Sequence, residues 1–222
     1  MKIAILGNGK MGKRIGELAK RNRDKIVAVS SSNRPAISID LSVADVAIDF
    51  STPSSAFENI SHAISSGIPV VSGTTGWLEK MKDIERLCIE RNGAFLYASN
   101  FSLGMNIFFE INKKLAELMK NHKYESKIHE THHTEKLDSP SGTAIALAEQ
   151  MENILNTKSQ ITNDRINNVT GTHQITYSSS VDEIEIKHIA KNRDGFAIGA
   201  IIAAEWIIGK KGIFSMKDVL VQ

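Results

Sequence analysis

Residues 1–12 read MKIAILGNGKMG and combine an apolar run with three glycines. The apolar run at residues 2–6 ends at a glycine, which is typical of a buried strand in a parallel sheet. Apolar residues then recur with helical spacing over residues 11–19. A strand, a glycine-rich turn and a helix in this order predict the first unit of a dinucleotide-binding sheet.

Gly7, Gly9 and Gly12 match the pattern G-x-G-x-x-G. The first glycine permits a tight turn, the second lets the backbone approach a pyrophosphate, and the third lets the helix pack closely on the strand. The helix N-terminus adds unpaired N–H groups and a partial positive charge for the phosphates. Glycines also mark ordinary turns, but the position between a strand and a helix favours dinucleotide binding.

The segment after the second predicted strand, residues 25–29, bears on the choice of cofactor. It reads Ser30-Ser31-Ser32-Asn33-Arg34, where an acidic residue would bind the ribose hydroxyl of NAD. Hydroxyl groups and an arginine suit a 2′-phosphate better. We therefore expect NADPH, with a solvated loop as the alternative interpretation of these residues.

The alternation of strands and helices continues along the first half of the chain. Three further strands are predicted, at residues 43–50, 68–72 and 95–98. Two helices lie between them, at residues 54–66 and 80–90. This order implies a parallel sheet. Two loops at carboxyl ends of its strands, Gly73–Gly76 and Ala98–Ser102, carry small and hydroxylated residues, so we expect them to contact a nicotinamide rather than act as plain turns.

The pattern changes after Ser102. Helices are predicted at residues 107–120, 143–155 and 196–208, a strand at 124–130, a loop at 156–172, and antiparallel strands with one covered face at 173–190. The predicted fold class is therefore α/β: a Rossmann-type parallel-sheet domain with an inserted α+β domain containing a mixed or antiparallel sheet. The first domain comprises residues 1–102 and the C-terminal segment 196–222, and the insertion comprises residues 103–195.

The composition is that of an ordinary globular protein. The chain has 222 residues, 41% of them hydrophobic and 23% charged, with a net charge of +2. We therefore predict no nucleic-acid or membrane partner. The single cysteine, Cys88, excludes an intrachain disulfide and a multi-cysteine metal site. The first glycine comes too early for a signal peptide, and no run approaches the ~20 apolar residues of a membrane span, so we expect a cytoplasmic protein.

Residues 129–144 read HETHHTEKLDSPSGTA and combine acid, base and anion-binding groups. The sequence S-P-S-G-T is a helix start signal, which would leave the N–H groups of Gly142 and Thr143 free for a carboxylate. Lys136 adds a positive charge, and a histidine at 132 or 133 can give a proton near neutral pH. The alternative is a polar surface loop that ends in an ordinary N-cap.

Residues 129–133 also match H-E-x-x-H, the zinc-protease motif. That chemistry needs a helix, which places the two histidines on one face. Residues 124–128 alternate like a strand, in which positions 129 and 133 would lie roughly 13 Å apart at about 3.3 Å per residue. No third ligand follows at a suitable spacing. We therefore predict no metal site.

With these motifs in view, the chain resembles the dihydrodipicolinate reductase (4-hydroxy-tetrahydrodipicolinate reductase) family of bacterial lysine and diaminopimelate synthesis, nearly from end to end. The H-H…K…P-S-G-T block at residues 132–143 is the most specific shared motif. The supporting motifs are Gly7–Gly12, Asp49-Phe50-Ser51, Gly73–Gly76, Ala98–Ser102, and His188, Arg193 and Phe196–Ala200.

The resemblance implies a reductase that uses NADPH, and also NADH, on a cyclic imine-type dicarboxylate. It implies His132 as the proton donor and Lys136 as the second catalytic residue. It implies a second domain that binds substrate and forms a homotetramer through its sheet. The substrate-binding residues are predicted to be His133, Ser141, Gly142 and Thr143. The predicted cofactor-binding residues, which include the glycine loop, are Gly7, Asn8, Gly9, Lys10, Met11, Gly12, Ser31, Arg34, Phe50, Gly73, Thr74, Thr75, Ala98, Ser99, Asn100 and Phe101.

The chain departs from the family pattern at three places. Thr134-Glu135 stands where a basic residue or histidine is often found, and Ser30 replaces the acid after the second strand. Residues 163–168 are rich in asparagine where S-x-R-x-G is common, with Arg165 as the nearest match. Three alternatives stay open: a Rossmann reductase of another imino or oxo acid, a nucleotide-sensing protein without catalysis, and a zinc hydrolase.

Overall fold

The computed structural model describes residues 1–220, and the chain divides into two compact units. The first unit contains Met1–Leu103 and the segment from Asp194 onward, and the second contains Gly104–Arg193. The predicted C-terminal segment 196–222 ends in two residues, 221 and 222, that lie outside the described part of the chain.

The first unit is built on a six-stranded parallel sheet. Strands and helices are numbered in chain order across both units. Its strands are β1 (Lys2–Leu6), β2 (Lys25–Ser30), β3 (Val46–Asp49), β4 (Val70–Ser72), β5 (Ala94–Tyr97) and β10 (Gly212–Phe214). Its helices are α1 (Lys10–Arg21), α2 (Pro53–Ser65), α3 (Met81–Glu90), α6 (Asp194–Ile207) and α7 (Met216–Leu220), with short 3-10 turns at Ala36–Ser38 and Leu78–Lys80. The strand order is β10-β5-β4-β3-β1-β2.

Side chains on both faces of this sheet are buried, which explains its apolar strands. Successive residues of a strand point to opposite faces. Ile3 and Ile5 of β1 accordingly pack in one apolar cluster with α1 and α6, whereas Ala4 and Leu6 pack in another with α2 and α3. Covering on both faces is what a parallel sheet requires. The predicted Rossmann-type sheet is confirmed.

The second unit is a four-stranded mixed sheet covered by helices on one face. Its strands are β6 (Glu125–His132), β7 (Gln160–Arg165), β8 (Gly171–Ser178) and β9 (Glu183–Ala190), and its helices are α4 (Leu103–Met119) and α5 (Gly142–Leu155). The order is β7-β6-β8-β9, with β6 parallel to β7 and the other two pairs antiparallel. Alternate residues of β6, including Ile128, Glu130 and His132, are buried. The predicted mixed sheet is confirmed.

The prediction of a loop over residues 156–172 is wrong, because β7 lies within it. β7 reads QITNDR, and this strand at the edge of the sheet is held by its backbone pairing to β6. Its polar side chains carry no apolar alternation that a sequence pattern could reveal.

Some element bounds also differ from the predicted ones. The strand predicted at 43–50 begins at Val46, because a turn bond from the Ala44 N–H to the Leu41 carbonyl precedes it. β4 begins at residue 70 instead of 68, and α4 begins at residue 103 instead of 107. β10 and α7 were not predicted. Within residues 1–220, no helix combines the length and apolar character needed to span a membrane.

Candidate active site

The glycine turn after β1 has the geometry that its pattern predicts. Gly7 has a φ of 113°, a conformation that L side chains rarely adopt, and a Cβ there would overlap the backbone of Phe50. A Cβ at Gly12 would overlap the Gly7 carbonyl oxygen. Gly9 is the N-cap of α1, and nothing lies within 4 Å of the position its Cβ would take. Gly7 and Gly12 therefore permit the close approach of the backbone in the turn, whereas Gly9 leaves open space at the start of the helix.

A cleft of about 720 Å³ opens beside this turn in the first unit. Among the predicted cofactor residues, Gly7, Asn8, Gly9, Ser31 and Phe50 line it. The predicted Lys10, Met11 and Gly12 form the first turn of α1, which contains no acidic residue and whose N-cap makes no side-chain hydrogen bond. Its free N–H groups suit a phosphate, and the volume is typical of a small-molecule site. The cleft therefore fits a dinucleotide cofactor.

The far end of the cleft differs in part from the sequence interpretation. Ser30 is buried, and its hydroxyl accepts a hydrogen bond from the Gly7 N–H at 3.0 Å. Ser31 and Arg34 exchange backbone hydrogen bonds at 2.9 and 3.0 Å, and Ser31 lines the cleft whereas Arg34 does not. Glu58 of α2 is the one charged side chain among the described lining residues. The sequence pattern gave no signal for Glu58, because its place depends on how α2 docks on the sheet.

Asp49, at the end of β3, ties together the loops around the cleft. Its buried carboxylate accepts hydrogen bonds from the hydroxyls of Ser51, Ser72 and Thr74 at 2.7, 2.8 and 2.7 Å. The Asn59 amide donates a fourth at 3.0 Å. Burial raises the pKa of Asp49, and these four donors act in the opposite direction. The Ser51 N–H also donates to the Thr74 hydroxyl at 2.8 Å, so the carboxylate fixes the loops after β3 and β4 together.

The predicted nicotinamide loops meet around Phe50. A Cβ at Gly73 would overlap the Phe50 ring, and the Phe101 ring centroid lies 5.5 Å from that of Phe50. Phe101 is buried, and a Cβ at Gly199 of α6 would overlap its carbonyl oxygen, which explains the glycine in that helix. The structure therefore brings Phe50, Gly73 and Phe101 together. The remaining predicted residues of these loops, Thr75, Ala98, Ser99 and Asn100, follow the adjacent strands β4 and β5.

In the second unit, the start of α5 forms the predicted anion-binding feature. Ser141 is its N-cap, and the helix begins at Gly142 and Thr143 with no acidic residue in the first turn. Nothing lies within 4 Å of where a Cβ of Gly142 would be. The Lys136 ammonium contacts both carboxylate oxygens of Asp138 at 2.8 Å. The helix N–H groups and this lysine are the donors that a carboxylate ligand requires.

His132 is the last residue of β6 and is almost fully buried. Its Nδ1 lies 3.2 Å from a Glu130 carboxylate oxygen, although the two are not aligned for a hydrogen bond. Its ring meets that of His173 edge-on, with the centroids 5.1 Å apart. Burial lowers the pKa of His132, Glu130 raises it, and the nearby Lys136 and Arg165 lower it. The net result is a pKa below the ordinary histidine value.

Glu130 is the centre of this cluster, and sequence reasoning gave it no role. Its side chain is completely buried, and its carboxylate accepts hydrogen bonds from both the N–H (2.9 Å) and the hydroxyl of Ser141. Arg165 of β7 donates to it at 3.2 Å and to the Asp138 carbonyl at 2.6 Å. Burial raises the pKa of Glu130, but the Ser141 hydrogen bonds and the charges of His132 and Arg165 bring it below the usual value. The strand period, which places residues 130 and 132 on one face, was the available signal.

Glu130, His132 and His173 could in principle hold a metal ion, because their ligand atoms lie within 4.8 Å of one another. However, the Glu130 oxygens already accept hydrogen bonds from Ser141 and Arg165, so a cation would lie beside a guanidinium group. This geometry favours an ion-pair network over a metal centre. The strand conformation of residues 125–132 also removes the helix that H-E-x-x-H chemistry needs.

His133 lies outside this cluster, in a second and smaller cleft of about 240 Å³. The cleft is also lined by Thr134, Glu135, Asn167–Thr170 and Arg193. Sequence reasoning did not identify residues 167–170 as part of a site, because they belong to a turn that only the pairing of β7 and β8 with β6 brings near residue 133.

Comparisons with known proteins identify the family of this chain. Two family models match, "Dihydrodipicolinate reductase, N-terminus" over residues 1–101 and "Dihydrodipicolinate reductase, C-terminus" over residues 104–220. The chain is 48% identical to a 4-hydroxy-tetrahydrodipicolinate reductase of Christiangramia forsetii, covering 99% of this chain and 98% of that protein. It is 30% identical to one of Methanoregula boonei, covering 99% and 97%.

Solved structures show the same fold. A dipicolinate-bound dihydrodipicolinate reductase from Paenisporosarcina sp. TG-14 superposes with a TM-score of 0.81 at 22% identity, covering 98% of each chain. The present chain belongs to the dihydrodipicolinate reductase family.

Proposed function

We propose that the chain is a 4-hydroxy-tetrahydrodipicolinate reductase, which forms tetrahydrodipicolinate with NADPH or NADH. The observation that carries this proposal is the cluster in the second unit, where a buried histidine and a lysine accompany the start of α5, whose Gly142 N–H interacts with the Asp138 carboxylate. It supplies an acid and an anion site, as reduction of a dicarboxylic imine requires. The similarity to reductases of that name supports the same substrate.

The first unit binds the cofactor and the second binds the substrate in this proposal. A nicotinamide cofactor held beside the glycine turn of Gly7 and Gly9 would supply a hydride for ring carbon 4 of the dehydrated substrate. His132, as imidazolium, gives a proton to the neighbouring carbon. The N–H groups of Gly142 and Thr143 hold one carboxylate, next to the N-cap Ser141, and Lys136 exchanges its Asp138 partner for the substrate's charge. We propose His133, which lines the smaller cleft, as a further substrate contact. These residues contribute orientation and charge stabilisation rather than new chemistry.

We infer that the cofactor site accepts both NADPH and NADH. Ser30 replaces the carboxylate that would bind a ribose diol and repel a 2′-phosphate, which favours NADPH. Arg34 is three residues after Ser31, which lines the cleft, so its long side chain can reach the same end of the cleft. Glu58 also lines the cleft, and its negative charge disfavours a phosphate beside it. The ratio of kcat/KM for the two cofactors, in Ser30→Asp against wild type, tests this: the aspartate should raise the preference for NADH.

The proposed assembly follows only from the family resemblance. We propose a homotetramer formed through the sheet of the second unit, in the cytoplasm. Light scattering of the purified protein measures the first, and cell fractionation measures the second.

A coupled assay tests the proposed reaction. The substrate is generated from aspartate semialdehyde and pyruvate by the preceding synthase, and NADPH oxidation is followed by absorbance. We expect turnover that depends on all three components. NADPH binding without oxidation would instead indicate a nucleotide sensor, and oxidation only with other imino or oxo acids would indicate a different reductase.

A further inference from the structure

Glu130 joins the two halves of the substrate site in the second unit. On one side its carboxylate lies 3.2 Å from Nδ1 of His132. On the other it accepts the backbone and hydroxyl hydrogen bonds of Ser141, the residue that caps α5. Ser141 in turn accepts the Ala144 N–H at 3.2 Å, so the carboxylate is anchored to the first turn of that helix.

We propose that Glu130 is a positioning residue of the reductase: its buried carboxylate favours the imidazolium form of His132 that acts as the acid, and holds the start of α5 in place for a substrate carboxylate. The inference rests on the proposed function. Because Glu130 approaches Nδ1, Nε2 is the nitrogen that gives the proton. A buried negative charge stabilises a neighbouring imidazolium by ion pairing, whereas at an exposed site hydration stabilises the charged ring.

The charges around His132 define what removal of this carboxylate does. Glu130 on β6 is the acid that faces it, whereas Arg165 on β7, His173 on β8, and His133 and Lys136 after β6 are bases. His188 on β9 acts on His173 in the same sense. Without the carboxylate every remaining group disfavours the imidazolium, and so does burial. The pKa of His132 must therefore fall when Glu130 is neutralised.

The experiment compares Glu130→Gln with the wild type in the coupled assay, as pH profiles of kcat and KM. Activity that needs protonated His132 declines as the pH rises through the pKa of that group, so a lower pKa moves the alkaline decline to lower pH. We expect this decline to move down by about one pH unit or more, because an opposite charge at this distance shifts a pKa by about 1–3 units. We also expect kcat near pH 7.5 to fall at least about tenfold, with a raised KM.

Three further variants separate the two roles. Glu130→Asp keeps the charge but is one methylene shorter, so the alkaline decline should return toward the wild-type pH while KM stays raised. Ser141→Ala removes the hydroxyl bonds to Glu130 and to the Ala144 N–H but keeps the Glu130 carboxylate and its bond from the Ser141 N–H, so KM should rise while the alkaline decline stays near that of the wild type. Glu125→Gln, an exposed glutamate on the same strand, is the matched control and should behave as wild type.

Each outcome is decisive. A wild-type pH decline and kcat in a folded E130Q would overturn the inference, and so would a stoichiometric metal that the wild type holds and E130Q loses. A circular dichroism spectrum and a urea unfolding curve that match those of the wild type show that E130Q is folded. If E130Q does not fold, E130D and S141A decide, because a shifted decline in S141A, which keeps the carboxylate, would contradict the assignment. A wild type without turnover contradicts the proposed function instead.

Discussion

Replacing Asp49 by asparagine tests the idea that one buried carboxylate organises the cofactor loops. In the native structure one oxygen accepts from Ser51 and Asn59, and the other accepts from Ser72 and Thr74, all between 2.7 and 3.0 Å. Asparagine has the same shape but offers one acceptor oxygen and one NH₂ donor. Whichever way it is oriented, two of the four donors then face another donor.

The structure sets the magnitude of this change. A hydrogen bond to a charged group contributes about 1.5–3 kcal/mol, so two lost bonds would destabilise the fold by about 3–6 kcal/mol. Hydroxyl groups can rotate to accept from the new NH₂, which recovers part of this, although the Thr74 oxygen already accepts the Ser51 N–H. We therefore expect a loss of about 2–4 kcal/mol in the free energy of unfolding, or about 5–15 °C in Tm.

The assay combines urea unfolding, followed by circular dichroism, with a fluorescence titration of NADPH. Thr74 and the residues around Ser51 belong to the loops beside the cleft, so cofactor affinity should fall together with stability. The matched control is Asp40→Asn, an exposed aspartate that accepts one backbone N–H from Ser42 at 2.9 Å, and it should remain close to wild type in both measurements. The opposite outcome is a D49N variant whose free energy of unfolding lies within about 0.5 kcal/mol of the wild-type value and whose cofactor affinity is unchanged. It would show that Asp49 does not act as an ionised acceptor.

Three other predictions concern the acid, a helix contact and the response to pH. His132→Gln should lower kcat by about 10²–10⁴-fold in the coupled assay, and a loss of NADPH affinity instead would contradict its role as acid. Gly199→Ala should destabilise the first unit by about 1–3 kcal/mol in thermal unfolding, because its Cβ would overlap the Phe101 carbonyl. Gly195→Ala, whose Cβ would make only an ordinary contact with the Ser102 hydroxyl at 3.8 Å, should not. Burial lowers the pKa of His173 to about 4 from 6.5, so the unfolded chain binds a proton between these pH values that the folded chain does not. Stability is then greatest above pH 6.5 and declines toward pH 4, and urea midpoints for His173→Gln should decline less; an unchanged slope would show that His173 is not the group responsible.

Local sequence patterns are sufficient for features whose requirements lie among residues that follow one another in the chain. The apolar run and three glycines of residues 1–12 specify the strand, turn and helix of the cofactor unit, because strand period, tight turns and helix packing are local requirements. The block at residues 132–143 likewise carries its helix start signal and its charges in one short segment.

The partners of the buried carboxylates Asp49 and Glu130 depend on contacts between residues that are distant in the chain. Three of the four donors to Asp49 lie 10 to 25 residues away in the chain, and Glu130 contacts Ser141 and Arg165 at separations of 11 and 35 residues. Strand β7, which brings Arg165, is polar at the sheet edge and held by backbone bonds, so no apolar period announces it. A buried carboxylate is stable only with donors from several elements, and their convergence is fixed by strand pairing and helix docking rather than by any local pattern.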